Sequence, residues 1–378
     1  MPNAETMTVR RNHVLFWAAA FLVFLALTWL FKSVMLPFVL GAAVAYLLDP
    51  LAEKLARRGV SRTIAALLVL AVFFVFVVAV LALVLPFAYR EAVQFIDAVP
   101  SYVEKIGALA APYTGWLHDR FGNGDPAAFE NALKNNISSA FKVGGSVLAG
   151  LAVGGQALAG FLSVMILTPL TAFFMIREWP QITGWIDNQI PRKNYKIIKN
   201  LLAQINAKVA GFVRGQLSIA FVLALIYAVA LLLAGLNFGF LIGLMAGLLS
   251  IVPLVGSTVG LLVSIGMAWL QSGEWGYVGI IAAIFIVGQF VEGNILTPRL
   301  LGKSVGMHPL WILFVLMAGG SAFGIVGMLL AVPVAASLGV LVGFAFEQYR
   351  QSDYYKAPVS KKTAKTKNHA RDRASTAA

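Results

Sequence analysis

Apolar runs long enough to cross a lipid bilayer recur from one end of this chain to the other, and no other feature constrains its fold as tightly. About 20 apolar residues span the hydrocarbon core as a helix. Within that core no water satisfies a backbone N–H or C=O, so each segment must pair its own polar groups, as a helix does. Runs near Val14–Phe31, Val34–Leu48, Thr63–Tyr89, Gly160–Ile176, Gly215–Leu236 and Tyr277–Leu296 approach or exceed that length. Two further regions, Phe238–Leu270 and Pro309–Gly343, are longer still. The expected fold class is all-α: a polytopic helical membrane protein with about eight hydrophobic segments. Only 12% of residues are charged, about half the share of a soluble domain.

The net charge of +13 is concentrated in short loops and the C-terminal tail. That is the pattern of the positive-inside rule rather than of nucleic-acid binding, and no reading module is present. The chain has no cysteine, which excludes disulfides, thiolate metal sites and thiol nucleophiles. His13, His118, His308 and His369 are scattered and make no metal-ligand spacing. No P-loop and no serine–histidine–acid pattern occurs, so neither an enzymatic role nor a cofactor is expected.

Arg10 and Arg11 precede the first run, which is long for a signal-peptide core and lacks a small-x-small cleavage site. It reads as an uncleaved first span. Asp49-Pro50 should end the second helix, because proline disfavours helix in the preceding residue. Lys54, Arg57, Arg58 and Arg62 place the next loop, with the N-terminus, in the cytoplasm. Residues 1–89 thus form three N-terminal helices. Residues 90–156 carry five basic and six acidic residues and read as an external helical subdomain.

Residues 157–214 hold the fourth span and a basic amphipathic stretch, with Ile197, Ile198, Leu201, Leu202, Ile205, Val209 and Phe212 at helical spacing. Such a helix lies in the membrane interface or packs on its own protein. Residues 215–346 form the C-terminal transport core. The tail, 347–378, is basic and of disordered composition. The lipid bilayer is therefore one partner, and the segmentation and charge bias imply a multi-pass membrane protein with both termini cytoplasmic.

The two longest regions would reach roughly 50 Å as straight helices, well beyond a bilayer core. Each contains breakers: Pro253, Gly256 and Gly260 in the first, Gly319, Gly320, Gly324 and Pro333 in the second. Hairpins that enter and leave on one side would keep Arg299 and Lys303 in the cytoplasm, as the charge rule prefers. Gly247–Ser257 and Gly327–Ser337 share five of eleven residues, including a central Val-Pro. This echo fits paired, interrupted segments of the kind that form transporter sites, or simply a kink in each helix.

One carboxylate, Glu292, stands in an otherwise membrane-like stretch, with Gln289 and Asn294 beside it. A charge at depth is retained when it is paired, wet or useful. Glu292 is the candidate proton carrier or substrate contact, and Gln289 and Asn294 are candidate hydrogen-bonding partners of a small-molecule or ion substrate. Backbone groups freed at Pro253, Pro298 and Pro333 would line the path, with Gly256, Arg299, Gly319 and Gly320. The bland reading is an interfacial glutamate paired with Arg299.

The run Glu292, Thr297-Pro298, Gly302-Lys303, Gly306, His308-Pro309, Gly319-Gly320, Phe323-Gly324, Gly327 and Ala331-Val332-Pro333 resembles the AI-2E family of PerM-like bacterial permeases. Arg214-Gly215-Gln216, Pro253 with Gly256, and Pro37 with Asp49-Pro50 extend the resemblance over nearly the whole chain. It implies an inner-membrane protein with about eight hydrophobic segments and both termini inside. Members are linked to export of the signal autoinducer-2, others to sodium/proton antiport, and some to homo-oligomers. The expected function is export of a small polar solute coupled to a proton or ion gradient. Cation/proton antiport and a non-transporting membrane scaffold are the alternatives.

Overall fold

The computed structural model describes residues 26–121, 155–302 and 306–352, with Tyr355 and isolated positions between 15 and 23. Parts of the first expected span, residues 122–154 of the expected external subdomain, and most of the basic tail lie outside these residues. The described chain folds into α1 (Met35–Ala56), α2 (Arg62–Phe121), α3 (Gly155–Gln189), α4 (Tyr195–Leu233), α5 (Gly239–Leu249), α6 (Val255–Ser272), α7 (Trp275–Val291) and α8 (Pro309–Gln351). Helix α7 runs on as a π-helix, Glu292–Leu301. Seven of the described helices are long and apolar enough to cross a membrane, and α5 is a shorter apolar helix. No strand occurs among the described residues. The protein is a polytopic helical membrane protein.

Proline does not end α1. The helix continues through Pro50 to Ala56. A proline inside a helix frees the carbonyl four residues earlier, here that of Tyr46. Arg214 on α4 donates its Nε to this oxygen at 2.7 Å. The same device recurs in α3, where Pro180 frees the carbonyl of Ile176 and Arg62 on α2 donates Nε to it at 3.0 Å. Arg62 also pairs with Asp49. Two proline-opened carbonyls are thus closed by arginines from neighbouring helices, and these bonds tie α1, α2, α3 and α4 together. Ala45, Ala52, Ala65, Ala66 and Ala172 form the dense core where α1, α2 and α3 meet.

The basic amphipathic stretch is not a separate interfacial element. It is the first half of α4, one unbroken 39-residue helix. A helix continuous with a span cannot lie flat in the interface. Its second half carries the main core: Ile219, Leu223, Tyr227 and Leu231 are almost fully buried.

Helix α5 packs antiparallel on that second half. Gly239, Gly243 and Gly247 lie one turn apart and face Leu231, Tyr227–Ala228 and Ala224 in turn. A β-carbon at Gly243 or Gly247 would strike the α4 backbone. Small residues at this spacing permit close approach in a membrane, where packing replaces the hydrophobic drive. After a turn at 250–254, α6 returns along α5, with Gly256 against Ala246 and Ser250, and Gly260 against Ala246. Gln271, near the end of α6, bonds the Asn237 N–H and the Gly235 carbonyl. The two ends of the region therefore meet, and the first long region is a hairpin. On that side, Glu91 of α2 accepts a bond from the Leu241 N–H at 2.7 Å, and Phe95 packs edge-on against Phe238 at 5.2 Å.

The second long region is a hairpin as well. His308 caps it by accepting the Leu310 N–H, with Pro309 at the first helical position. At Gly324 the backbone leaves the helix (φ 61°, ψ −139°). Gly319 then faces Gly327, and Gly320 faces Met328. Eight residues of straight helix would separate Gly319 from Gly327 by about 12 Å, so the arms 309–323 and 325–351 fold back on each other. Pro333, an expected breakpoint, lies buried within the second arm instead. The echo between the two Val-Pro segments is therefore not structural: Pro253 sits at a hairpin tip, Pro333 in a helix.

Candidate functional site

Contacts along α4 place Glu292 within its candidate span, Trp275–Leu301. Tyr277, near the start of α7, donates its hydroxyl to the Ala234 carbonyl just past the end of α4. Leu300, near the end of the π-helix, packs against Gly215. Gly215 and Ala234 are about 28 Å apart along a helix axis. Between those levels, Gly288 packs directly on the ring and hydroxyl of Tyr227. Glu292 lies one turn beyond Gly288, so it sits in the interior of the span and not at its end. The π-helix carries the chain onward from it for nine residues. A π-helix is a rare form that concentrates at functional sites.

Around Glu292 the partners are few. Gln289 donates Nε2 to its carboxylate at 2.8 Å. No ion pair reaches it among the described residues, and Arg299 is exposed without one. The Asn294 amide is turned back onto the Phe290 carbonyl at 3.0 Å. Tyr227 is fully buried, stacked on Phe285 at 4.7 Å. Its hydroxyl meets no well-formed hydrogen-bond partner among the described residues, and the Gln289 amide and the Glu292 carboxylate are its polar neighbours. Ser264 on α6 holds a second buried hydroxyl without a partner. Leaving such a group unsatisfied costs about 1–3 kcal/mol.

The tip of the first hairpin defines a second locus. Gln216 is buried and donates Nε2 to the Ser250 carbonyl at 2.5 Å. Ser250 itself bonds back to Ala246 at 2.9 Å. Leu254 takes a left-handed conformation (φ 70°) to close the turn, strain of about 1–3 kcal/mol for a non-glycine residue. Beside this tip lies a chamber of about 260 Å³, walled by Phe38, Tyr46, Phe212, Gln216, Ile251 and Pro333 among others. Further along the same seam of α4 and α8, a polar cleft of about 540 Å³ is lined by Asn200, Gln204, Lys208, Glu347, Gln348 and Gln351. The cleft uses α4 residues up to 208 and the chamber those from 209, so the two lie one after the other along α4.

A family model described as AI-2E family transporter matches residues 18–346. The chain belongs to the AI-2E transporter family. The Bacillus subtilis protein YrrI is 26% identical over 317 residues, covering 83% of this chain and 87% of that protein. The Escherichia coli protein PerM is 25% identical over 315 residues, 82% of this chain and 87% of its own length. The Escherichia coli AI-2 transport protein TqsA is 27% identical over 342 residues, 84% and 86% respectively.

In this AI-2E transporter the residues singled out by sequence separate into groups. Glu292 and Gln289 are joined directly. Asn294, Pro298 and Arg299 follow on the π-helix with exposed surfaces. Pro253 and Gly256 shape the first hairpin tip, and Pro333 lines the chamber beside it. Gly319 and Gly320 lie at the second tip, packed on the opposite arm rather than on Glu292. Arg214-Gly215-Gln216 takes on meaning only in three dimensions: Arg214 closes the Tyr46 carbonyl, Gly215 admits Leu300, and Gln216 caps the first tip. Tyr227 and Ser264 carried no sequence signal, since each is a single polar group in an apolar helix.

Proposed function

We propose that this AI-2E transporter is a secondary carrier that exports a small polar solute of the autoinducer-2 kind, driven by a proton or ion gradient through Glu292. The observation that carries the reading is a carboxylate in the interior of a candidate span whose hydrogen-bond partner among the described residues is a neutral amide. An uncompensated acid at that depth is retained for function. The polar cleft and the chamber offer the solute a route along α4 and α8, with Gln216 and Tyr46 as polar handles in a largely apolar wall. A compact solute with some apolar surface suits that wall better than a fully hydrated one. The protein acts as a carrier and not as a catalyst.

In this reading the face bearing Arg57, Arg58, Arg62, Arg192 and Lys193 is cytoplasmic, and the face bearing Glu91, Asp97 and Glu274 is external, in a bacterial inner membrane. Gln289 and Asn294 are exposed at membrane depth, and a second copy of the chain packed there would shield them from lipid. Flux of autoinducer-2 in proteoliposomes with an imposed pH gradient is the test. Glu292→Gln should reduce gradient-driven flux to background while the protein still inserts; full flux in that variant ends the proposal. Sodium-dependent proton movement lost in the same variant would move the assignment to antiport. Loss of flux on truncation from Asp353 would instead favour a scaffold or docking role.

A further inference from the structure

A second polar site lies at the junction of α1, α3 and α4, apart from Glu292. Its pocket measures about 40 Å³ and is lined by Tyr46, Asp49, Ile176, Trp179, Asn206 and Arg214, among others. That volume exceeds what a single water requires. Asp49 is neutralised by its ion pair with Arg62, and Arg62 is further held by the Ile176 carbonyl. Arg214 has no such counterion: among the described residues no carboxylate pairs with it. Its Nε donates to the Tyr46 carbonyl at 2.7 Å. That bond orients the guanidinium plane, and among the described residues neither terminal amino group has a hydrogen-bond partner.

The other polar groups complete a donor set. Tyr46 donates its hydroxyl to Asn206 Oδ1 at 3.3 Å, so the Asn206 amino group is free to donate. Trp179 stands edge-on to Tyr46 at 5.8 Å, and its indole N–H is a donor without a partner among the described residues. With Asp49 neutralised by Arg62 from outside the lining, the Arg214 guanidinium is the uncompensated charge facing the pocket. A partly buried charge without a counterion is costly, and a planar fork preorganised by one bond suits a bidentate oxyanion.

We infer that this pocket binds the carboxylate or phosphate group of an anionic molecule, with Arg214 as the principal ligand and Asn206 and Trp179 as further donors. Asn206 is exposed, so the group enters past it from the basic face. The site does not depend on the transport reading and is tested without flux. Thermal unfolding of the purified full chain in detergent would be followed against inorganic phosphate and, separately, dioctanoyl phosphatidylglycerol, with dioctanoyl phosphatidylcholine as the neutral-headgroup control.

A bound anion raises the midpoint in a saturable way, because ligands that bind only the folded state stabilise it. Arg214→Gln should weaken the apparent affinity at least about tenfold, as expected for loss of charge-assisted bonds. Arg350→Gln, an exposed arginine on the same face, should respond as the unmodified protein does. A response to phosphate identifies a free anion as sufficient, and a response to phosphatidylglycerol alone identifies a lipid headgroup; either supports the site. No saturable response to either probe, or an equal response in Arg214→Gln, overturns it. Should Arg214→Gln fail to fold, Asn206→Ala decides, because it leaves the Arg214–Tyr46 bond intact: an unchanged affinity there is equally fatal.

Discussion

The two hairpins solve one problem in different ways. The first, 237–272, is held along its length. Three glycines seat α5 against α4, Gln216 caps its tip, Gln271 joins its ends, and Glu91 and Phe95 brace its base. The second, 309–351, turns on one glycine, Gly324, and its arms meet backbone to backbone at Gly319 and Gly327. The first hairpin is thus held by side chains and backbone of neighbouring helices, whereas the second is closed at its turn by contact between its own two arms.

Substitutions break this contrast in a graded order. Gly243→Leu should have the largest effect, because its β-carbon meets the backbone of Tyr227 and Ala228. Overpacking against rigid backbone costs about 3 kcal/mol or more, and the variant should yield little folded protein by size-exclusion chromatography. Next comes Gly324→Ala. Nothing lies within 4 Å of a β-carbon there, so only backbone strain acts, about 1–3 kcal/mol. It should fold with a lowered unfolding midpoint and altered transport rate; a loss as complete as that of Gly243→Leu would show that the second hairpin is held as tightly as the first.

Gln216→Leu strands the Ser250 carbonyl and should cost about 1–3 kcal/mol. It should also raise susceptibility of residues 250–254 to hydrogen exchange, with no change at the second tip. Smallest in stability is Tyr227→Phe. It removes an orphan hydroxyl and should be neutral or stabilising by up to about 1 kcal/mol. Lower flux without lower stability would make that hydroxyl part of the path of the proton or solute, whereas unchanged flux would confine the chemistry to Glu292 and Gln289.

Much of this architecture was legible in the amino-acid order. The apolar runs identified the spans, the excess length of two regions pointed to hairpins, and the isolated acid at 292 drew attention to the candidate site. Pro50 misled, because sequence shows that a carbonyl is freed but not that an arginine from another helix will take it. Pro333 misled for the related reason that a buried proline in a packed arm need not turn the chain. Glu292 appeared near a helix end because Pro298 follows it, yet the π-helix carries the span past that proline to Leu301.

The sequence alone determined the class of protein, since apolar length and the absence of water in lipid leave helices as the means of satisfying the backbone. It also determined where the chain could break, through the local chemistry of glycine and proline. Only the tertiary structure decided which breaks become turns and which polar groups meet. A freed carbonyl is tolerated when a donor reaches it, and Arg62 and Arg214 do so from 114 and 168 residues away along the chain. A glycine becomes a turn when the returning arm has something to pack on, as Gly319 has in Gly327. Such conditions depend on distances between helices, which no stretch of sequence contains.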